Sequence, residues 1–171
     1  PEDEVINERF KIQLDEFHSN DNLSICGSYI FEYFKNKKKI IRKPIHNHEI
    51  YNFLKFKNPL IHSTIMFKKD KILDVGGYPN INKCQDYLLW IKAMEKMLVF
   101  KNIDKPLVNT NLNLSMMERR SFNYFKHEFY IYKYMLMKKI ITLHFFITIS
   151  FLRLLIRIIP NIIKINLYKI R

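Results

Sequence analysis

The sequence predicts an α/β domain followed by a helical, basic extension, and three observations carry that expectation. Runs rich in β-branched and aromatic residues at 23–34, 61–67 and 99–103 alternate with segments whose apolar residues recur at i, i+3, i+4 and i+7, the pattern of strands interleaved with helices. Beyond Ser115 only the helical pattern continues. No acid follows Glu128, whereas Lys133, Lys138, Lys139, Arg153, Arg157, Lys164, Lys169 and Arg171 do. With 171 residues, 48% of them apolar and only three glycines, the chain has the means to bury one sizeable core, and disorder is excluded. The heavy use of Lys, Ile and Asn is in part what an AT-rich genome writes, so the net charge of +13 says less than its placement. Two cysteines, Cys26 and Cys84, without a Cys-x-x-Cys or a secretory signal, suggest a reducing, cytosolic setting.

Taken in order, residues 3–18 read as a packing helix with Ile6, Phe10, Leu14 and Phe17 inward and Asp3 and Glu4 in the first turn. Residues 23–34 read as a strand. The six positive charges between 35 and 43 read as a solvated loop, or as a contact for an anionic partner, with a short extended piece around Ile40 and Ile41. His46, His48 and Glu49 are all possible zinc ligands, yet the same letters describe a loop and helix start before Ile50, Phe53 and Leu54. A strand is expected over 61–67 and a short helix over 69–75, ended by Gly76-Gly77, whose first glycine supplies a left-handed cap. Two further short strands, 99–103 and 107–112, flank Pro106.

The chain is organised around Asp86. It stands directly before Tyr87, Trp90, Ile91 and Met94, an i, i+3, i+4, i+7 set, so it falls at the start of an amphipathic helix. Backbone N–H groups there favour an ionised carboxylate that points out of the helix end. Two roles are open for it, a helix cap and a proton acceptor in a cleft. His62, at a strand start, is either a structural histidine or a substrate contact.

In the extension, Phe122, Phe125, Phe129, Tyr132 and Met135 form one apolar stripe. Residues 140–152 lack a formal charge but are too few to cross a bilayer, which takes about twenty. Arg153 and Arg157 among Leu and Ile, then Ile162 and Ile163 beyond Pro160, describe a basic amphipathic segment over 145–171 suited to an anionic membrane surface, or to packing on the domain itself.

Together, 58–67 (Asn-Pro-Leu-Ile-His-Ser-Thr-Ile-Met-Phe), Gly76-Gly77-Tyr78, Gln85-Asp86-Tyr87-Leu88-Leu89-Trp90, Asn102-Ile103, Leu107-Val108 and Arg119-Arg120 resemble the latter half of bacterial family-2 glycosyltransferases, of the kind that build capsular, exopolysaccharide and O-antigen chains. The resemblance implies a GT-A fold, a mixed sheet with flanking helices, of which 1–114 would be the acceptor-side portion with the nucleotide-binding front half absent. Residues 115–171 would be a membrane-associated helical extension. It implies Asp86 as catalytic base of an inverting transfer, Asn58, His62 and Gln85 near the acceptor, and Trp90 in the core behind the base. It also implies a nucleoside-diphosphate sugar as donor, a lipid-linked or polysaccharide acceptor, no nucleic acid, and work at the cytoplasmic face of the plasma membrane. Mg²⁺ or Mn²⁺ would be held by an Asp-x-Asp motif to which Glu2 and Asp3 would be the last contributors. Three positions depart from the pattern: Leu88 where a second acid is common, Asn111 where an Arg is frequent, and Ser121-Phe122 where Gly-Gly is usual. Rival expectations are a basic domain that binds anionic lipid or nucleic acid without chemistry, and an inactive remnant of such a transferase.

Overall fold

The computed structural model describes residues 3–34, 37–111 and 122–158. The chain divides into two units, Pro1–Asn113 and Leu114–Arg171. Glu2, Leu112, Arg119, Arg120, Ser121, Pro160 and the basic residues Lys164, Lys169 and Arg171 lie outside the described residues.

The first unit is built on β2 (Leu23–Phe34), whose first eight residues are all buried. A strand covered on both faces has no polar side, and this one accordingly reads as a continuous apolar and small-residue run. One edge of β2 pairs in parallel with β5 (Val99–Asn111). The other edge is shared by two short antiparallel strands: β4 (Met66–Phe67) opposite Ile25 and Cys26, and β3 (Lys37–Ile41) opposite 30–34. β1 (Glu4–Val5) adds antiparallel to the outer side of β5, so the order is β1-β5-β2-β3. Between the parallel pair run α2 (Asn47–Leu54), α3 (Lys69–Asp74) and α4 (Gln85–Glu95).

Four elements differ from the sequence expectation. The basic run is an edge strand in its middle part, not a solvated loop. Lys37 to Lys39 stand exposed on β3, where charge discourages pairing with another chain, and Lys38 Nζ lies 3.6 Å from the centre of the Phe31 ring. The two strands around Pro106 are one: the register passes from Ser28 opposite Ile103 to Tyr29 opposite Pro106, and the proline, which has no N–H, sits at that irregularity.

The first helix, α1 (Arg9–Ser19), starts later than expected and turns a different face inward. Phe10 and Leu14 are 57% and 47% exposed, whereas Arg9 and Gln13 are buried, with Ile12 and Phe17 packed on Leu23, Cys26, Ile103 and Leu107. The reason is polar. Gln13 Nε2 donates to the carbonyls of Cys26 (3.2 Å) and Thr64 (2.8 Å), and Arg9 Nε donates to Gln13 Oε1 at 2.9 Å, so buried backbone acceptors fix the rotation of the helix.

The expected strand over 61–67 is a 3₁₀ turn, His62–Thr64, followed by β4. Thr64 Oγ1 donates to the Ile61 carbonyl (2.8 Å) and accepts from the Ser28 N–H (3.0 Å), which takes the place of a ladder bond and turns the chain. The short helix and its glycine ending are as the sequence indicates: Gly76 and Gly77 have φ of 88° and 64°, and Gly77 N–H donates to the Ile72 carbonyl at 2.9 Å.

The second unit holds α5 (Phe122–Met137) and α6 (Leu143–Ile158). Phe129 and Phe146 meet with ring centres 5.3 Å apart, and Ile131, Tyr132 and Met135 are fully buried. Arg153 and Arg157, read either as contacts to lipid headgroups or as packing residues, have partners within the unit. Arg157 pairs with Glu128 at 2.8 Å, and Arg153 donates from Nε to the Tyr132 hydroxyl at 3.1 Å with Glu128 3.9 Å from its guanidinium. Glu128, the one acid among the described residues of this unit, captures them. Leu143, Ile147, Phe151 and Leu155 are exposed instead. Among the described residues no helix is long and apolar enough to cross a membrane.

Two stability outcomes follow from this packing. A methyl group added at Gly27 would collide with Asn102 Oδ1, so Gly27→Ala is expected to lower stability by about 1–3 kcal/mol in urea unfolding. Glu128→Ala leaves two arginines without their acid in a largely buried setting and should cost about 3 kcal/mol or more, read from thermal unfolding by circular dichroism.

Candidate functional site

Asp86 is the second residue of α4, and the helix behind it is immobilised by burial. Trp90, Leu89 and Ile91 have no exposed surface, in agreement with a core role for Trp90, and the Tyr87 hydroxyl donates to the Leu54 carbonyl at the end of α2 (2.6 Å). The cap position is taken by Cys84, in left-handed conformation with φ of 62° and no side-chain capping bond. Asp86 is therefore not the helix cap. Its Oδ2 accepts from Asn58 Nδ2 at 2.7 Å.

Asn58 is held at three points. Besides the Asp86 bond, its Oδ1 accepts from the Leu60 N–H (3.1 Å) and its main-chain carbonyl accepts from Lys43 Nζ (2.7 Å). His62 opens the 3₁₀ turn and is exposed, and its ring meets that of Tyr78 nearly at right angles with centres 5.9 Å apart. Tyr78 follows the two left-handed glycines, and its phenol is pushed up first by burial and then by the negative charge of Asp86. The structure thus brings Asn58, His62 and Asp86 into one neighbourhood. Gln85 is the exposed first residue of α4 and makes no hydrogen bond to that group among the described residues.

Sequence reasoning missed three residues here. Lys43 was hidden within the basic run, yet its ammonium turns inward over the Phe53 ring, 5.6 Å away. Burial, and then Lys57, push it down to about 8, opposed by Asp86. Tyr78 was visible only as part of a motif. Asn102, a fully buried amide in β5, donates from Nδ2 to the carbonyls of Pro44 (2.6 Å) and Pro59 (3.2 Å), and its N–H donates to the Ile45 carbonyl (3.0 Å). A polar residue inside a buried strand was the signal for it. Leu88, where the resembling family often has an acid, is 2% exposed, so a carboxylate there would be buried.

Glu49 is spent on the helix start rather than on a metal. Its Oε2 accepts from the N–H groups of Ile45 (3.1 Å) and His46 (3.2 Å), which hold its carboxyl below the usual range. Asp3 is exposed just before β1. Among the described residues no three His, Cys, Asp or Glu side chains converge where they could hold a cation.

A half-buried carboxylate held by one neutral amide, bordered by an exposed imidazole and phenol, can take a proton from a hydroxyl group and offer ring faces to a sugar. Sequence comparison shows that the curated homologues of this chain are bacterial glycosyltransferases, as its motifs suggest. They include the amylovoran biosynthesis glycosyltransferase AmsE of Erwinia amylovora, 29% identical over 77% of this chain and 50% of its own length. A second is the Escherichia coli UDP-Gal:alpha-D-GlcNAc-diphosphoundecaprenol beta-1,3-galactosyltransferase, 28% identical over 94% of this chain and 60% of its own. The O-antigen biosynthesis glycosyltransferase WbnJ of Escherichia coli is 31% identical over 61% of this chain and 41% of its own. The chain spans about half the length of the curated relatives it matches. No family model matches it.

The environment of Lys43 makes a measurable forecast. Its ammonium should half-titrate near pH 8 instead of 10.5, seen in the ¹³Cε shift of the full-length protein. Since the unfolded chain binds this proton more tightly than the folded one, folding stability should rise with pH between those values, and Lys43→Met should remove that part of the rise.

Proposed function

We propose that this chain forms the acceptor-side part of an inverting GT-A sugar transferase that uses a nucleoside-diphosphate sugar to extend a lipid-linked or polysaccharide acceptor in cell-surface polysaccharide synthesis. The observation that carries the reading is the Asn58–Asp86 bond at the exposed start of a rigid helix, with His62 and Tyr78 alongside. Asp86 takes the proton of an acceptor hydroxyl as its oxygen attacks the anomeric carbon from the side opposite the departing diphosphate, which inverts that centre. Asn58 aims the carboxylate, and the His62–Tyr78 pair borders the acceptor ring.

The nucleotide-binding half is proposed to lie in the part of the relatives' length that this chain does not span. Mg²⁺ or Mn²⁺ would accompany the donor there, with Glu2 and Asp3 at most at its margin. Work on a lipid-linked acceptor places the enzyme peripherally at the cytoplasmic face of the plasma membrane, and the exposed apolar residues of α6 offer a surface for that contact.

Asp86→Asn in the full-length protein is the test. Transfer from nucleotide-sugar to acceptor should fall by about 10²–10⁴ with an unchanged circular dichroism spectrum, because the amide cannot accept the proton. Retained turnover would return Asp86 to a purely structural role.

A further inference from the structure

The helical pair α5 and α6 carries charge on its inside and apolar side chains on its outside, the reverse of a hairpin made for water. Within the 16 residues of α6 the formal charges are Arg153 and Arg157, whose side chains are only 17% and 9% exposed. They meet Glu128, the Tyr132 hydroxyl and the Tyr124 ring, three residues that recur every fourth position along one face of α5. Outward stand Leu143, Ile147, Phe151, Leu152, Leu155 and Ile156, each 44–61% exposed. At about 100° per residue these six cover roughly 220° of the helix circumference. The threonines on the exposed side are satisfied within the helix: Thr148 Oγ1 donates to the His144 carbonyl (3.0 Å), and Thr142 Oγ1 accepts from the Phe145 N–H (3.2 Å).

An arginine has a stem long enough to bring its head to water from the flank of a helix. Here both guanidiniums are drawn inward while six large apolar side chains face out, so the pair bears desolvated charge and exposed hydrocarbon at once. The same arrangement is favourable where the outside is itself hydrocarbon. A rigid protein surface, a second copy included, meets one stripe of a convex helix, whereas fluid acyl chains close around more than half of it. The helix is too short to cross a bilayer, and a helix of this kind lies along the interface. By contrast α5 exposes Lys126 and Lys133, and the turn before α6 exposes Lys138 and Lys139, whose stems let the ammonium groups stay among headgroups and water.

We infer that α6 is embedded in the plane of a bilayer with its apolar arc among the acyl chains, so that this contact is hydrophobic insertion, indifferent to lipid charge and salt. The inference rests on the transferase reading, which calls for a membrane, and changes the basis of the contact. Arg153 and Arg157 are spent on α5 and do not serve as the attraction to anionic headgroups.

The test uses the full-length protein with an environment-sensitive fluorophore on Ile147→Cys, and on Lys126→Cys as the control. On vesicles of phosphatidylcholine alone at high salt, the label at 147 should shift to the blue and be quenched by lipids brominated along their acyl chains, and the label at 126 should do neither. Adding phosphatidylglycerol or lowering the salt should change the response at 147 by less than about three-fold, since screening acts on charge contacts alone. Ile147→Ser combined with Phe151→Ser should weaken binding to phosphatidylcholine vesicles by ten-fold or more, with an unchanged circular dichroism spectrum. A response at 147 that needs anionic lipid or is lost at high salt would overturn the inference, as would binding that survives the double serine variant. So would a double variant that turns a dimer into a monomer while neither protein binds vesicles, because the arc would then belong to a second copy. Transfer that depends on Asp86 without insertion at 147 would leave the transferase reading standing alone. Insertion without Asp86-dependent transfer would keep the membrane face and remove the transferase.

Discussion

The buried side-chain amide of Asn102 is the constraint on which the candidate site depends. It lies within β5 directly opposite Gly27 of β2, and its two donated bonds reach carbonyls on different loops, Pro44 and Pro59. Each such bond contributes about 0.5–1.5 kcal/mol net, but a buried carbonyl left without a donor costs about 1–3 kcal/mol, so the loops cannot easily lie elsewhere. Lys43 precedes one anchored proline and Asn58 the other. Residues fifteen apart in the chain thereby meet beside the start of α4. Gly27 is what lets this arrangement fit, since the amide of its strand partner occupies the space a side chain would need.

A second buried polar chain positions the other margin of the site. Arg9 orients Gln13, Gln13 bonds the Thr64 carbonyl, and the Thr64 side chain takes the Ser28 N–H from β2. Thr64 ends the 3₁₀ turn that His62 begins. The exposure of His62 therefore depends on a helix whose polar side faces the core. Were α1 rotated to bury Phe10 and Leu14, the acceptors under it would lose Gln13.

How much of this was legible in the sequence follows the same division. Elements whose burial is apolar were readable: β2, the core side of α4, and the Gly76-Gly77 ending all follow from periodicity or backbone conformation. Elements rotated or broken by a buried polar side chain were not. Composition does not say that Gln13 will lie inward and Phe10 outward, that Thr64 will break a β-branched run, or that Glu128 will draw in two arginines. Asp86 with Asn58 and His62 could be named from their motifs, but Lys43 lay in a run whose other described charges, Lys37, Lys38, Lys39 and Arg42, are exposed. Its distinction arises only from contacts across the fold.

The placement of neutral Asn58 between two opposite charges has a chemical consequence. A direct ion pair from Lys43 to Asp86 would occupy the carboxylate and favour its charged form, which weakens a proton acceptor. Here the ammonium is diverted to the asparagine carbonyl, and the carboxylate receives an uncharged amide donor. Had Asp86 been the cap residue, its oxygens would have gone to first-turn N–H groups, but the left-handed Cys84 occupies that position. The fold thus keeps a carboxylate oriented without neutralising it and a cation close by without pairing it. That combination offers little to stability, and it suits a carboxylate that has to accept a proton.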